Sequence, residues 1–403
     1  MSLVVLEKRE SAYYERRSAL LEQSVSRTST KDRPLFAHVY VENRCNLKCA
    51  HCYESEDSHP HVQGLSLDDY SKVLDQLAKL GVLVVTFSGG EPFLRRDFLD
   101  IVELARKKRF AVRIYTSGTL ITPDKADRIR DLQVQEVHVS VYSHDAQVHE
   151  EFTGIPRSHE RSLNALRMLK ERGVHTVLKS NIMTFNVDHL DELIGLAKEL
   201  GADYQLDPTV KPKMNGDRSP LRFAVPPDEL RDKVLWRPDL QSVLSMEQAE
   251  GMCDGENPRQ GKDGGMCAAA KGLITVNADG TISPCAMFPL HGGSFKDAPI
   301  EDIWFRSPLF ENVRKQRFDD MKECPSCEVR STCSPCMAYS LVEHDDHRAC
   351  NSSSRQFAEG QHKLAERMVR SQKKNSRGRP LPIVGDQELP LDAVKGSRLS
   401  TEL

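Results

Sequence analysis

Short apolar runs alternate with amphipathic segments along residues 35–210. The runs are rich in β-branched residues and have the length of strands; they are Phe36–Val41, Leu83–Ser88, Ala111–Thr116, Glu136–Tyr142, Thr176–Ile182 and Ala202–Asp207. Apolar positions recur at helical spacing between the runs, over 67–80, 96–108, 124–131, 160–172 and 188–200. Six β–α units in a row predict an α/β fold, a partial (β/α)6 TIM-like barrel with its chemistry at the carboxyl ends of the strands.

The pattern changes in the second half of the chain. Residues 208–265 are rich in Pro and Gly and predict an irregular linker with one helix near 227–235. Cysteines then replace apolar residues as the organising feature of a small Cys-rich domain. We therefore predict a lead-in, a barrel, a Cys-rich domain, a C-terminal helix and a disordered tail, which span 1–34, 35–235, 236–352, 353–371 and 372–403.

The composition of the chain limits the chemical roles that its cysteines can have. The net charge of −3 provides no general affinity for nucleic acid, and no apolar run approaches the roughly 20 residues that span a bilayer. The N-terminus lacks the pattern of a secretory signal, so we expect a cytoplasmic protein without nucleic-acid or membrane partners. Disulfides rarely persist in the cytosol, and the eleven clustered cysteines therefore predict metal ligands.

The first cysteine group follows the first predicted strand as CNLKCAHC and contains Cys45, Cys49 and Cys52. A tetrahedral zinc site would need a fourth ligand, which His51 could supply. A four-iron cluster would be held at three irons and open at the fourth. The spacing alone leaves both possibilities open.

A second motif, Ser88-Gly89-Gly90-Glu91-Pro92, ends the second predicted strand. The cysteine spacing and this motif together resemble the radical SAM superfamily, whose members carry three such cysteines after strand one and a GGEP motif. The resemblance continues through TSGT at 116–119 and VSVYSHDAQVHEEFTG at strand four. It implies a 4Fe–4S cluster whose open iron binds S-adenosylmethionine (SAM), and reductive cleavage of SAM to a 5′-deoxyadenosyl radical.

The same resemblance implies contacts to SAM at the ends of several strands. Gly89, Gly90 and Glu91 of the GGEP motif, which Pro92 completes, would line the methionyl amine, because paired glycines let a backbone approach a ligand closely. The other implied contacts are the backbone near His51 for the adenine, Ser140 for the ribose and Lys179 for the carboxylate.

The later cysteines have the pattern C-x12-G-x4-C from Cys267 to Cys285, then C-x2-C-x5-C-x2-C from Cys324 to Cys336, and last Cys350. Paired CxxC units alone would also fit a zinc ribbon. The whole pattern resembles the SPASM extension of radical SAM enzymes that modify peptides. It departs from that extension in having two residues, where three are expected, before the sixth cysteine.

This resemblance implies two auxiliary 4Fe–4S clusters. The first would be held by Cys267, Cys285 and Cys336, and the second by Cys324, Cys327, Cys333 and Cys350. Three clusters with one iron open to SAM need eleven ligands, which equals the number of cysteines and assigns Cys253 to the first auxiliary cluster. If Cys253 is instead a spare thiol, that cluster has an open iron for substrate.

Two fully ligated clusters beside a radical site favour oxidation, because they can accept an electron from the substrate radical. We expect crosslinking, decarboxylation or dehydrogenation of a ribosomally made precursor peptide, with Asp207 as a candidate base. The lead-in at 1–34 is short for a peptide-recognition domain, which predicts a separate leader-binding protein. Flavodoxin or ferredoxin would be the reductant.

Three other functions remain open. A sulfatase-maturase-like oxidation is disfavoured, because Ala286 stands where that family has Asp. Dehydrogenation of a small molecule is the second alternative. The third, a non-catalytic zinc or electron-transfer protein, would not release 5′-deoxyadenosine from SAM.

Overall fold

One β-sheet forms the centre of the described part of the protein. The computed structural model describes residues 33–54, 64–237, 246–256 and 266–375. Nearly all of the predicted lead-in and tail lies outside the described residues. No helix within these residues is both long enough and apolar enough to cross a membrane.

Eight strands pair in the order β6-β5-β4-β3-β2-β1-β7-β8 in the described residues. They are β1 Phe36–Glu42, β2 Val84–Gly89, β3 Ala111–Thr116, β4 Glu136–Ser140, β5 Thr176–Asn181, β6 Asp203–Asp207, β7 Leu273–Val276 and β8 Ile282–Ser283. β1 to β6 are parallel, each to the next, with Val39 opposite Phe87, for example. The predicted α/β fold with a parallel sheet is confirmed.

The last two strands extend the sheet beyond the six that the sequence predicts. β7 pairs parallel with β1, and β8 pairs antiparallel with β7. The sheet therefore continues across the predicted domain boundary at residue 235. A four-residue strand is too short to give a periodic signal, and it gains its hydrogen bonds only because β1 offers a free edge.

Helices connect the parallel strands. They are α1 Leu67–Leu80, α2 Phe98–Lys107, α3 Pro123–Asp131, α4 Ala146–Thr153, α5 Ser158–Glu171 and α6 Leu190–Glu199. α1 begins where the Ser66 hydroxyl accepts from the Asp69 amide, and it ends at Gly81, whose φ of 102° is left-handed. α4 was not predicted, because its eight residues carry too few apolar positions to form a stripe.

Further helices organise the C-terminal half. They are α7 Pro227–Leu230, α8 Met246–Cys253, α9 Ile300–Arg306, α10 Pro308–Lys315, α11 Met337–His344 and α12 Ser352–Asn375. α8 falls in the segment predicted to be irregular, and it packs on α12 through Ala249 and Met252 against Ala365. α12 begins one residue before the predicted helix and ends four residues after it.

The C-terminal half shares the hydrophobic core of the barrel. Val39 and Phe87 belong to the same buried cluster as Ile274 on β7 and Trp304 on α9. Burial of apolar surface therefore stabilises both halves together. The C-terminal cysteines are consequently held at a defined place beside the barrel.

Candidate active site

The loop after β1 carries the first cysteine group and is attached to α4. Lys48 N donates to the Thr153 carbonyl at 2.8 Å, and Ala50 N donates to the Phe152 carbonyl at 3.1 Å. Because α4 follows β4, this attachment places the loop at the carboxyl ends of the strands. The loop lies where chemistry is expected in such a fold.

The thiols of Cys45, Cys49 and Cys52 are close enough to influence one another. Burial raises the pKa of each, to about 12 for Cys52. Negative charge on Cys52 and Cys45 would raise the pKa of Cys49 further, and charge on Cys45 would do the same for Cys52. Cys45 is exposed, and Cys49 and Cys52 are half-buried. Thiols that resist ionisation fit a strongly positive partner, because metal binding deprotonates a thiol and offsets the repulsion.

The glycine turn at the end of β2 packs directly on the backbone that enters this loop. Gly90 N donates to the Glu42 carbonyl at 2.7 Å, and Glu91 N donates to the Arg44 carbonyl at 2.9 Å. A Cβ on Gly90 would lie 2.2 Å from the Arg44 carbonyl oxygen, and a Cβ on Gly89 would lie 2.1 Å from that of Glu42. Only glycine allows the two segments to approach this closely.

The Glu91 side chain is fully buried and joins the β2 turn to the end of β3. Oε1 accepts from Thr116 Oγ1 at 2.7 Å and from Phe93 N at 3.1 Å, and Oε2 accepts from Ser117 N and Oγ, both at 2.7 Å. Four donors fill the acceptor capacity of a carboxylate. A contact between this side chain and the methionyl amine would have to share an oxygen with one of them.

The TSGT motif and Pro92 support the same turn. Asn46, one residue after Cys45, donates to Thr119 Oγ1 at 2.9 Å, which connects the cysteine loop to the end of β3. Pro92 is buried and begins a single 3₁₀ turn, Pro92–Leu94. These residues hold the turn in place.

His51 lies in an aromatic pocket beside the cysteine loop. Its ring centroid is 4.8 Å from that of Tyr142 and 5.0 Å from that of Phe152. Burial, followed by the charge of Lys211, lowers its pKa to about 4, so the imidazole is neutral. Two aromatic rings thus pack against the imidazole, and the contact between the backbone near His51 and the adenine stays a prediction.

Ser140 ends β4 and stands opposite Lys179 on β5. Its side chain lies near the Tyr142 hydroxyl, and Cys49 packs against the cluster that contains Tyr142, so Ser140 lies close to the first thiol group. The structure therefore brings Ser140, His51 and the cysteine loop together, as a shared cofactor site requires.

Lys179 and Asp207 lie near two residues that the sequence did not single out, His38 and Lys211. Lys179 Nζ lies 4.0 Å from the centroid of the Tyr115 ring, and Lys211 Nζ lies 4.0 Å from Asp207 Oδ2. Burial, followed by the charge of Lys211, lowers the pKa of Lys179 to about 8. Burial, followed by the two lysines, lowers the pKa of His38 to about 3. The excess of positive charge suits a carboxylate ligand.

Polar side chains line the inside of the barrel on neighbouring strands. The ring centroid of Tyr115 on β3 is 6.0 Å from His38 on β1 and 4.7 Å from His138 on β4, and His138 Nδ1 is 3.1 Å from Gln205 Oε1 on β6. The sequence carried this signal, because polar residues alternate with apolar ones along these strands. Alternation alone does not say which face of the strand points inward.

The C-terminal cysteines fall into two groups. Burial, followed by the charge of Cys336 and Cys267, raises the pKa of Cys285. Cys336 and Asp207 both lie near Tyr339 on α11, and burial raises the pKa of Cys336 to about 11. Cys267, Cys285 and Cys336 therefore lie near one another.

The second C-terminal group has its own small core. Burial, followed by the charge of Cys350 and Cys327, raises the pKa of Cys324 to about 11. Cys324 and Cys333 are buried in one hydrophobic cluster, against which Cys327 packs. The structure thus separates these four cysteines from the other three as the sequence predicted, while their roles as ligands stay a prediction.

Cys253 lies on a different element from the other cysteines. It is the exposed last residue of α8, a helix that packs against α12. Nothing in this placement tests its predicted role as the last ligand of the first auxiliary cluster. Within the described ranges, no three His, Cys, Asp or Glu side chains have the spacing of a single-ion site.

Two family models match the chain. The model of the radical SAM superfamily matches residues 39–200, which include the first cysteine group and the glycine turn. The model of the SPASM iron-sulfur cluster-binding domain matches residues 267–328. The second match includes Cys267, Cys285, Cys324 and Cys327 and ends before the last three cysteines.

The chain is similar to proteins of two kinds. It is 26% identical to the AdoMet-dependent heme synthase of Methanosarcina barkeri over 75% of this chain and 91% of that protein. It is 27% identical to the mycofactocin maturase MftC of Mycolicibacterium smegmatis over 76% of this chain and 79% of that protein. The fold resembles that of Streptococcus suis SuiB bound to its precursor peptide SuiA, with a TM-score of 0.64 and 18% identity over 80% and 76% of the two chains.

Proposed function

Because this chain belongs to the radical SAM superfamily and carries a C-terminal SPASM domain, we propose that it cleaves SAM and uses the radical to oxidise a ribosomally made peptide. The single observation that carries the proposal is that the first cysteine group and Cys285 lie close to one another beside Tyr40 on β1. The Tyr40 hydroxyl is 3.1 Å from the hydroxyl of Tyr53, which follows Cys52, and 3.1 Å from the carbonyl of Ala286, which follows Cys285. A substrate there would contact both a radical source and an electron acceptor.

The residues of the first site fit the cofactor. When bound, a 4Fe–4S cluster on Cys45, Cys49 and Cys52 supplies the single electron that breaks a carbon–sulfur bond of SAM and releases a 5′-deoxyadenosyl radical. The close packing of Gly89 and Gly90 on the backbone of Glu42 and Arg44 holds the glycine turn against the cysteine loop, and buried aromatic rings around His51 exclude water.

Lys179 supplies an ammonium group for the carboxylate of SAM in this proposal. Its pKa of about 8 means that the charged form is lost as the pH rises above 8. An arginine at the same position stays charged throughout this range. We compare kcat/KM for SAM cleavage in the native enzyme with that in Lys179→Arg. The ratio of the native value to the variant value should fall about fivefold between pH 8 and pH 9.

The measurement is the release of 5′-deoxyadenosine by the reduced enzyme without substrate. Lys108→Arg is the matched control, because Lys108 pairs with Asp75 at 2.5 Å at the edge of the barrel. The control should follow the native profile. A native enzyme and a Lys179→Arg variant with parallel pH profiles would contradict the role of Lys179.

A peptide substrate is supported by the relatives. SuiB was solved with its precursor peptide, and MftC is named a maturase. Asp207 is buried beside Lys211 and would serve as the base if a proton must leave. A separate leader-binding protein and a cytoplasmic flavodoxin or ferredoxin complete the proposed system.

Co-expression with a short open reading frame that neighbours this gene tests the proposal. A crosslink or a dehydrogenation should lower the mass of the encoded peptide by two hydrogens, and a decarboxylation should also remove carbon dioxide. The peptide should keep its mass when Cys45, Cys49 and Cys52 are replaced by alanine. An unchanged mass together with a D-residue would identify an epimerase and refute oxidation.

Oxidation of a small molecule is the second candidate. It is favoured by the heme synthase of Methanosarcina barkeri, which this chain matches over 91% of the length of that protein. The excess positive charge of Lys179 and Lys211 fits a carboxylate on either kind of substrate. The test compares tetrapyrroles with the peptide that the neighbouring open reading frame encodes. Stimulation of 5′-deoxyadenosine release by a tetrapyrrole, but not by the peptide, would favour this candidate.

A further inference from the structure

Two tyrosine hydroxyls connect the first cysteine loop to the first C-terminal cysteine group. The Tyr40 hydroxyl donates to the Ala286 carbonyl at 3.1 Å, and it lies 3.1 Å from the Tyr53 hydroxyl. Because the single proton of Tyr40 is used on the carbonyl, Tyr53 donates to Tyr40. Tyr53 directly follows Cys52, and Ala286 directly follows Cys285. An unbroken path of covalent and hydrogen bonds therefore joins Cys52 to Cys285.

The surrounding structure holds this path in place. Tyr40 lies on β1, is 3% exposed, and its own carbonyl accepts from the Tyr70 hydroxyl at 3.2 Å. The Tyr53 carbonyl accepts from Met214 N at 2.8 Å, which anchors the other end. Electrons tunnel more readily along bonded atoms than across an unbonded gap. A fixed pair of hydroxyls is thus suited to connect two redox centres.

We propose that the Tyr53–Tyr40 bridge is the route by which an electron held in the first auxiliary cluster returns to the SAM-binding cluster. The proposal rests on the proposed function. SAM cleavage oxidises one cluster by one electron, and oxidation of the substrate radical reduces the other by one. Transfer of one electron along the bridge returns both clusters to their starting oxidation states. No bond forms or breaks, and the hydroxyl protons stay in place. Steady turnover then needs no net external electron.

The experiment uses the three-cluster enzyme and SAM alone. The protein is fully reduced with dithionite, freed of excess reductant and mixed with SAM, and the clusters are followed by freeze-quench electron paramagnetic resonance. The native enzyme should lose the signal of the SAM-binding cluster first and that of the auxiliary cluster afterwards, and release more 5′-deoxyadenosine than one cluster can support. In Tyr40→Phe and Tyr53→Phe the second phase should be about tenfold slower.

Tyr204→Phe is the matched control, because Tyr204 is a buried tyrosine on β6, and four strands lie between β6 and β1 in the sheet. It should keep the native second phase. If the bridge only stabilised the loop, Tyr40→Phe and Tyr53→Phe would instead change the affinity for SAM and the rate of the first phase. The role of the bridge alone is refuted if the second phase in Tyr40→Phe and Tyr53→Phe is as fast as in the native enzyme. It is also refuted if the auxiliary signal of the native enzyme does not decay. No 5′-deoxyadenosine from the native enzyme overturns the proposed function as well.

Discussion

Replacement of Cys45, Cys49 and Cys52 together by alanine is expected to reduce 5′-deoxyadenosine release to the limit of detection. The three thiols are the only cysteines in the sequence between β1 and α1, and their raised pKa values and mutual repulsion suit a cationic cluster. Without thiolates no iron is held at the carboxyl ends of the strands, and SAM loses both its anchor and its electron source. Anaerobic assay with dithionite measures the loss.

The variant contains its own control. The two C-terminal cysteine groups are separate in the structure, so the protein should stay brown and lose about a third of its iron. Its circular dichroism should match that of the native enzyme. A variant that retains all of its iron, or still releases 5′-deoxyadenosine, would contradict the assignment of the first site.

Gly90→Ala is expected to abolish SAM binding and to destabilise the fold by about 3 kcal/mol. The new Cβ would lie 2.2 Å from the Arg44 carbonyl oxygen and 2.6 Å from that of Asn43. Both atoms belong to the backbone and cannot rotate away as a side chain would. The β2 turn must therefore separate from the cysteine loop, which moves both parts of the SAM site.

Gly195→Ala is the matched control for this substitution. Gly195 lies within α6, and a Cβ there would meet nothing within 4 Å. Its free energy of unfolding should stay the same or rise by up to about 1 kcal/mol, because alanine favours a helix. Urea denaturation and calorimetric titration with SAM measure both effects. Native-like SAM affinity in Gly90→Ala would show that the close approach is not required.

The strands and the residue types of the first site could be predicted from the sequence. β3 has the predicted limits Ala111–Thr116, and β1 extends only one residue beyond the prediction, to Glu42. These strands are buried and rich in Val and Ile, so a short local window carries their signal. The cysteine spacing and the GGEP motif are local in the same sense. The two groups of C-terminal cysteines were implied by the family resemblance and not by local spacing, because Cys336 stands beside Cys333 in the sequence but lies with Cys285 in the structure.

Contacts across long stretches of chain could not be predicted in this way. Tyr40 meets Ala286 across 246 residues of sequence, and nothing near either residue specifies the other. β7 is a strand because it lies against the free edge of β1. Lys211 came to notice only when the fold placed it beside Lys179 and Asp207.

Periodicity and motif spacing in the chain were thus sufficient to predict the parallel α/β sheet and to show the resemblance to radical SAM enzymes, because each depends on residues that are near neighbours in sequence. The two lysines beside Asp207, the four donors that occupy Glu91 and the tyrosine bridge became visible only in the folded molecule. The physical reason is that side-chain direction and burial are set by packing between distant elements, which local propensity does not encode.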